Sequence, residues 1–242
     1  MSYEIIQKYI SKNRSGQALT AIGMVLHDTD DKGATAQNEQ SYFNNNNVSA
    51  SAHAFIDWSS IIETVPDNEV AWGSGPTSNH KFLQVELCVP TTHDVTKFNE
   101  VWNRAVWYFA YKFVNKLNVN TITKDNLMSH AEVSNKWHET DHQDPIAYFN
   151  EYGKTVDQFR SEVQVQINII LGKGVSDMKK IVVYYGDADV FAALIVSQKN
   201  QCPLMSKADF VASGLQADQV IEIGGKPNST RYSTFKDAAN LV

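Results

Sequence analysis

The sequence of 242 residues has no run of about 18 apolar residues, so we expect no membrane-spanning helix. It contains only two cysteines, Cys88 and Cys202, which lie far apart. A disulfide framework is therefore not expected, and two reduced thiols are the simpler interpretation. The first residues, Met-Ser-Tyr-Glu-Ile-Ile-Gln-Lys, lack the charged start and long apolar stretch of a secretory signal. We therefore expect synthesis in the cytoplasm, with any release depending on another route.

The sequence also lacks an excess of basic residues. Its formal net charge is −6, whereas a nucleic-acid-binding domain usually presents a basic face. Neither G-x-G-x-x-G nor G-x-x-x-x-G-K-[ST] occurs, so no nucleotide-phosphate loop is expected. The charge is unevenly spread, because the residues from Leu171 onward carry 8 Lys and Arg against 7 Asp and Glu. This asymmetry favours two units with different partners.

The composition that is present is ordinary for a globular protein, with 43% hydrophobic and 20% charged residues. In the first 170 residues, short apolar runs alternate with segments of helical spacing, which predicts an α/β unit. The predicted strands are Leu19–Leu26, His53–Asp57, Ile61–Val65 and Phe82–Cys88, and the predicted helices are Gly33–Asn44, Thr96–Leu117 and one that begins at Thr155.

The pattern changes after Leu171-Gly-Lys-Gly174, which we interpret as a hinge. Beyond it, strands and helices alternate in the order βαβαβα, which predicts a small βαβ-type parallel-sheet domain. We place the two domains at residues 1–171 and 176–242. The predicted strands of the second domain are Lys180–Tyr185, Cys202–Met205 and Gln219–Ile223, and its predicted helices are Ala188–Lys199, Lys207–Ala212 and Thr230–Asn240.

Three side chains could together form a catalytic zinc site. His27 ends a predicted buried strand, and His130 and Asp144 flank a polar stretch. Two imidazoles and one carboxylate leave a fourth position open for water, as a catalytic zinc requires. A lone histidine after a strand is more often a core or surface residue, so spacing alone does not decide. His138 and His142, four residues apart, are an alternative pair of ligands on one helical face.

Six motifs, in this order, strengthen the metal hypothesis. They are Val25-Leu-His27-Asp-Thr, Ser51-Ala-His-Ala-Phe-Ile-Asp57, Ala71-Trp72, Gly75-Pro-Thr-Ser-Asn79, Gln84-Val-Glu86-Leu-Cys88 and His130…His142-Gln-Asp144-Pro145. Together they resemble the zinc-dependent N-acetylmuramoyl-L-alanine amidases of the type 2 family, which include phage endolysins and bacterial autolysins. The resemblance covers roughly residues 15 to 168. It implies a mixed central sheet flanked by helices.

The resemblance also implies roles for individual residues. It places the zinc ligands at His27, His130 and Asp144 and the catalytic glutamate at Glu86. With His142 stabilising the oxyanion, these residues would hydrolyse the amide bond between N-acetylmuramic acid and L-alanine. The alternative for Glu86 is a strand residue that faces solvent. Proposed substrate contacts are His53, Trp72 and Asn79, although a histidine bonded to backbone and a core tryptophan are equally plausible for the first two.

The sequence departs from the common family pattern at three positions. Asp144 stands where many members have a cysteine ligand, and His142 stands where they have a lysine. Aspartate is an acceptable zinc ligand, so the metal site is still expected. Gly73 follows Trp72 where many relatives have a histidine, which puts one substrate or supporting contact in doubt.

The second domain is similar to one copy of the type 2 cell-wall-binding repeat of clostridial surface proteins and autolysins. The similarity is carried by Ile181-Val-Val-Tyr-Tyr-Gly-Asp-Ala-Asp-Val-Phe-Ala-Ala193, Cys202-Pro-Leu-Met205 and Val220-Ile-Glu-Ile-Gly-Gly225. It implies binding to an anionic wall polymer and, for a single copy, a homo-oligomer. We therefore expect a peptidoglycan hydrolase, a clostridial phage or prophage endolysin, that acts on the wall after release. A host autolysin and a non-catalytic muropeptide-binding protein are the alternatives.

Overall fold

The computed structural model describes residues 2–172, 178–213, 215, 217–225 and 230–241. The chain divides into two compact units, Met1–Ile170 and Leu171–Val242. Part of the predicted hinge and residue 176, the predicted start of the second domain, lie outside the described residues. No helix in the described ranges is long and apolar enough to cross a membrane.

The first unit is built on a mixed six-stranded sheet with the order β1-β4-β3-β5-β2-β6. All its strand pairs are parallel except β3 with β4. The strands are β1 (Ile6–Gln7), β2 (Gly23–Asp28), β3 (Ala54–Ile56), β4 (Ile61–Glu63), β5 (Phe82–Leu87) and β6 (Leu127–Ser129), and the helices are α1 (Ala36–Asn45), α2 (Pro76–Asn79), α3 (Val95–Asn115), α4 (His130–Trp137), α5 (Ile146–Glu151) and α6 (Val156–Ile170).

Helices cover this sheet because their apolar side chains lie on one face. Helix α3 buries residues at helical spacing, and its Trp102 and Phe109 pack edge-on against Phe159 of α6 at centroid distances of 5.2 and 5.1 Å. The same helix buries Lys112, whose ammonium lies between the carboxylates of Glu63 and Asp67. A buried cation with two acidic partners is stable only while both remain.

The second unit is a three-stranded, fully parallel sheet with the order β8-β7-β9. The central strand buries successive residues, including Ile181, Val182 and Val183, because helices pack on both faces. Its elements are β7 (Met178–Tyr184), α7 (Val190–Asn200), β8 (Leu204–Ser206), α8 (Lys207–Ser213), β9 (Ala217–Ile223) and α9 (Arg231–Ala239).

The predicted fold class, a mixed helix-flanked sheet plus a small parallel sheet, is confirmed. The start of the first predicted strand was wrong. Leu19 lies in no strand, the neighbouring Ala18 forms an isolated bridge to Glu69, and β2 begins at Gly23, four residues after Leu19. The short elements that the sequence analysis did not predict are β1, α2, β6, α4 and α5.

Candidate metal centre

The sheet brings His27 and His130 to the same edge. His27 lies near the carboxyl end of β2, and His130 is the first residue of α4, directly after β6. The two strands are parallel neighbours, with Leu26 opposite Ser129. Because the carboxyl ends of parallel strands meet at one edge, the two imidazoles lie close together, and both are buried.

Local hydrogen bonds fix the position of His130. Ser129 caps α4, and its hydroxyl accepts a hydrogen bond from the Glu132 backbone while the Glu132 carboxylate accepts one from the Ser129 backbone. Arg160 forms an ion pair with Glu132 and donates a hydrogen bond to the carbonyl of Leu127. The start of the helix is therefore anchored to α6 and to β6.

The loop that carries Asp144 is attached to the same helix. The backbone N–H of Ala131 donates to the carbonyl of Asp144 at 3.1 Å. The hydroxyl of Ser134 donates to the carbonyl of His142 at 2.8 Å. Side chains 14 residues apart in sequence, His130 and Asp144, are thus held against one another.

Three donor atoms converge at this place. His27 Nδ1 lies 3.1 Å from both His130 Nδ1 and Asp144 Oδ2, and His130 Nδ1 lies 3.0 Å from Asp144 Oδ1. Atoms that bind one tetrahedral zinc at 2.0–2.1 Å stand about 3.3 Å from one another. The spacing and the donor types therefore fit such an ion.

The far nitrogens of both imidazoles are occupied. His27 Nε2 lies 2.9 Å from Gln84 Oε1, and His130 Nε2 lies 3.2 Å from Thr140 Oγ1. The amide oxygen of Gln84 only accepts, so it requires the proton on His27 Nε2. In the neutral ring that a metal would bind, the lone pair of His27 Nδ1 then points toward His130 Nδ1 and Asp144 Oδ2. Hydrogen bonds to the far nitrogen orient histidine ligands in the same way in metal sites.

The electrostatics of the centre favour a cation. Burial lowers the pKa of His27, but the carboxylates of Glu86 and Asp144 outweigh it and raise that pKa to about 9. Burial raises the pKa of Asp144, but hydrogen bonds from His130 and His27 hold it well below its usual range. Without a metal, positive charge therefore accumulates on the ring of His27.

Glu86 faces the same centre from β5. It is directly opposite His27 in the β2–β5 register. Burial, together with the charges of Asp144, Asp28 and Glu39, raises the pKa of Glu86 to about 8 even though His27 opposes the shift. Its Oε2 atom is buried and the side chain lines the cavity described below, so Glu86 does not occupy the solvent-facing position that was its alternative.

The centre opens into a cavity of about 770 Å³, lined by His27, Glu86, His130 and Asp144 among others. Among the described residues, three buried side-chain oxygens have no hydrogen-bond partner, and they belong to Thr29, Glu39 and Glu86. All three residues line this cavity. Unpaired buried acceptors are costly, so the cavity suits a ligand or solvent that supplies N–H or O–H donors.

The structure brings two further predicted residues to the cavity. Trp72 lines it and is partly exposed. His142 also lines it, stacks on His130 with ring centroids 4.8 Å apart, and keeps a side chain that is 66% exposed. The alternative of a His138–His142 pair on one helical face is wrong, because His138 caps the end of α4 and His142 lies in the loop beyond it.

The other two predicted contacts, His53 and Asn79, do not line the cavity. His53 is fully buried, accepts a hydrogen bond at Nδ1 from the Gln84 backbone and donates from Nε2 to the carbonyl of Glu69. The amide oxygen of Asn79 accepts hydrogen bonds from the backbones of Gly73 and Ser74. Both residues bond to the backbone, and their contact with substrate stays a prediction.

The residues that support the two histidines, Gln84 and Thr140, were not among the predicted site residues. Gln84 could have been found, because it precedes Glu86 by two residues and strand alternation places both on one face. Thr140 gave no signal, since it lies in an irregular loop whose path depends on contacts with α4.

A mixed α/β domain in which two histidines and an aspartate converge at a cavity is typical of metal-dependent hydrolases. Residues 18–147 match the N-acetylmuramoyl-L-alanine amidase family. The chain belongs to that family.

Several proteins resemble the chain. It is 34% identical over 144 residues to Protein Ami of Listeria monocytogenes, covering 57% of this chain and 15% of that protein. It is 32% identical over 170 residues to the bifunctional autolysin of Staphylococcus aureus, covering 69% of this chain and 13% of that protein. The chain thus spans a small part of the length of these relatives.

Solved structures share the fold. The Staphylococcus aureus hydrolase AmiA, crystallised with its ligand, superposes with a TM-score of 0.64 at 28% identity, covering 72% of this chain and 88% of that one. The catalytic domain of XlyA superposes with a TM-score of 0.55 at 23% identity, covering 66% of this chain and 99% of that one. The match to XlyA shows the fold alone.

Proposed function

We propose that the chain is a zinc-dependent N-acetylmuramoyl-L-alanine amidase that hydrolyses the amide bond between N-acetylmuramic acid and L-alanine in peptidoglycan. The observation that carries the proposal is the convergence of His27, His130 and Asp144 within about 3 Å of one another at the cavity. These three residues would hold the zinc. Bound there, the metal would supply a Lewis acid that polarises a carbonyl and makes water more acidic.

Glu86 is proposed as the general base and then the general acid. It would accept a proton from the attacking water and return it to the amine of the departing L-alanine. Its place opposite His27 and its unpaired Oε2 support this role, because no described residue forms a hydrogen bond that competes for that atom. In the metal-free protein, burial raises the pKa of Glu86 to about 8. Carboxyls that both accept and return a proton commonly have pKa values raised in this direction.

His142 is proposed to stabilise the oxyanion that forms on the scissile carbonyl. Its imidazole is stacked on His130 and exposed at the cavity, so a ring N–H can reach a bound substrate. One such donor typically contributes roughly 2.7–4 kcal/mol. Trp72 would offer an aromatic face to the substrate from the wall of the same cavity.

The direct test is muropeptide analysis of purified clostridial cell walls treated with the protein. New L-alanine amino termini that disappear with a chelator and return with zinc would support the proposal. Asp144→Asn should abolish them, whereas Asp141→Asn, an exposed aspartate of the same loop, should not. New reducing sugar ends, or no products with zinc present, would contradict the proposal and favour a muropeptide-binding protein.

The second unit is proposed to bind an anionic wall polymer and to associate with other copies of the chain. Helix α7 supports self-association, because Phe191, Leu194 and Ile195 are 62%, 39% and 41% exposed and lie at positions i, i+3 and i+4. Sedimentation velocity should show an oligomer that Phe191→Lys weakens. A monomer at every concentration tested would contradict self-association.

We further propose that the protein acts on walls of clostridial bacteria as a phage or prophage endolysin. The resemblance of the second unit to a clostridial wall-binding repeat supports this origin. Purified protein added from outside should lyse clostridial cells faster than staphylococcal or bacillar cells. Equal lysis of all three would remove the argument for a clostridial target and leave a host autolysin as the better interpretation.

A further inference from the structure

A buried chain of hydrogen bonds ends at His27. The amide oxygen of Gln84 lies 2.9 Å from His27 Nε2 and 2.8 Å from the hydroxyl of Ser74. The Ser74 oxygen is in turn 2.8 Å from the hydroxyl of Ser78. Gln84 and Ser78 have no exposed surface, and Ser74 is 2% exposed. All three side chains are therefore shielded from solvent.

The proton positions in this chain follow from one backbone carbonyl. Gln84 Nε2 lies 3.3 Å from the carbonyl oxygen of Phe82, which can only accept. The NH₂ group must therefore face Phe82, so the amide oxygen faces His27. That oxygen accepts from Ser74 and from His27, which requires the proton of His27 to reside on Nε2.

We propose that Gln84 is a positioning residue that fixes the tautomer and ring orientation of His27 for metal binding. The inference rests on the proposed zinc site. With the proton held on Nε2, only Nδ1 can donate a lone pair, and Nδ1 is the atom that meets His130 and Asp144. Without Gln84, the ring would be free to rotate or to carry its proton on Nδ1.

Gly73 makes room for this glutamine. A Cβ atom added at Gly73 would lie 2.9 Å from both Cγ and Oε1 of Gln84. A side chain at residue 73 would therefore displace the amide from His27. The glycine that departs from the common family pattern is thus explained by the close approach of Gln84.

The test compares the zinc affinity of full-length variants by competition with a chromophoric chelator. Gln84→Leu keeps the size but removes the acceptor, and should weaken zinc binding about 10–100-fold. Gln84→Glu keeps an acceptor oxygen and should restore most of the affinity. Ser78→Ala is the matched control, because it removes the last hydroxyl of the same buried chain and leaves the contact between Gln84 and His27 in place. This variant should bind zinc like wild type.

A second readout follows the proton itself. In zinc-loaded protein with ¹⁵N-labelled histidine, the Nε2–H of His27 should exchange slowly with water in wild type and Ser78→Ala. In Gln84→Leu it should exchange fast, because its acceptor is gone. A purely structural role for Gln84 would lower stability without moving this signal.

Gly73→Ala provides an independent test should Gln84→Leu fail to fold. It should weaken zinc binding in the wild-type background, because the added Cβ displaces the amide of Gln84 from His27. Where Gln84→Leu folds, Gly73→Ala should add nothing in that background, since the acceptor is already absent. An equal further loss of affinity there would overturn the coupling. Equal zinc affinities in wild type, Gln84→Leu and Gly73→Ala would overturn the role of Gln84 but leave the proposed function standing. A wild-type protein that binds no zinc would overturn the proposed function as well.

Discussion

Replacement of Glu86 by glutamine separates catalysis from metal binding and from stability. The substitution keeps the size of the side chain but removes the carboxylate that would carry the proton. Proton transfer by a positioned side chain contributes about 10²–10⁴-fold, so amide hydrolysis should fall by that factor, or about 2.7–5.4 kcal/mol. Zinc content should not change, because Glu86 is not one of the three converging residues.

The same substitution should make the metal-free protein more stable. Folding raises the pKa of Glu86 from 4.5 to about 8, so wild type loses stability as the pH rises through that window. Glutamine does not ionise, and the variant should gain on the order of 2 kcal/mol at neutral pH. Activity and stability are thus expected to move in opposite directions.

The assay follows release of L-alanine amino termini from purified walls, with zinc content and urea unfolding measured on the same samples. Glu151→Gln is the matched control, because Glu151 also lines the cavity but is partly exposed and forms an ion pair with the exposed His93. It should retain activity within about fivefold. If Glu86→Gln kept more than about a tenth of the activity, the general-base assignment would be refuted. If the Glu86→Gln variant lost its zinc, the assumption that Glu86 acts in catalysis and not in metal binding would be wrong.

Three further predictions concern stability. Lys112→Met leaves the buried carboxylate of Glu63 and the partly exposed carboxylate of Asp67 without their cation. It should lower the free energy of unfolding by about 3–5 kcal/mol in urea titrations, and a loss below about 1 kcal/mol would contradict the buried ion pair. Burial lowers the pKa of His53 to about 4. Because this folded-state pKa is below the ordinary value of 6.5, the stability contributed by the neutral His53 ring is present above pH 6.5 and is lost as the pH falls toward 4. An NMR titration of the ring should show a midpoint well below 6.5, and a midpoint at or above that value would refute the buried neutral state. Gly224→Ala places a Cβ 2.1 Å from the Asp189 carboxylate at a φ of +86°, so it should speed amide exchange in β7–β9 and leave exchange in β2 and β5 unchanged.

Sequence reasoning succeeded where hydrophobic periodicity is strong. The spacing of Phe98, Val101 and Ala105 predicted α3, and short apolar runs predicted β5 and β7. It failed at β6 and α4, because a strand of three residues carries almost no pattern and the helix after it is largely polar. The Ser129-x-x-Glu132 capping box was the one local signal for α4. It marks Ser129 as the N-cap, so the helix begins at His130.

The two strand histidines show why residue type and spacing could not by themselves identify the site. His27 and His53 both neighbour β5, in contact with Gln84, and both are almost completely buried. His27 lies at the carboxyl end of its strand, where α4 and the Asp144 loop leave a cavity, so one of its ring nitrogens meets other ligands. His53 precedes its strand, where the carbonyl of Glu69 covers it, so both of its ring nitrogens are bonded to backbone. Both strands run parallel to β5, so the difference arises from the end of the strand at which each histidine lies. Which end faces the cavity is fixed only when the sheet assembles.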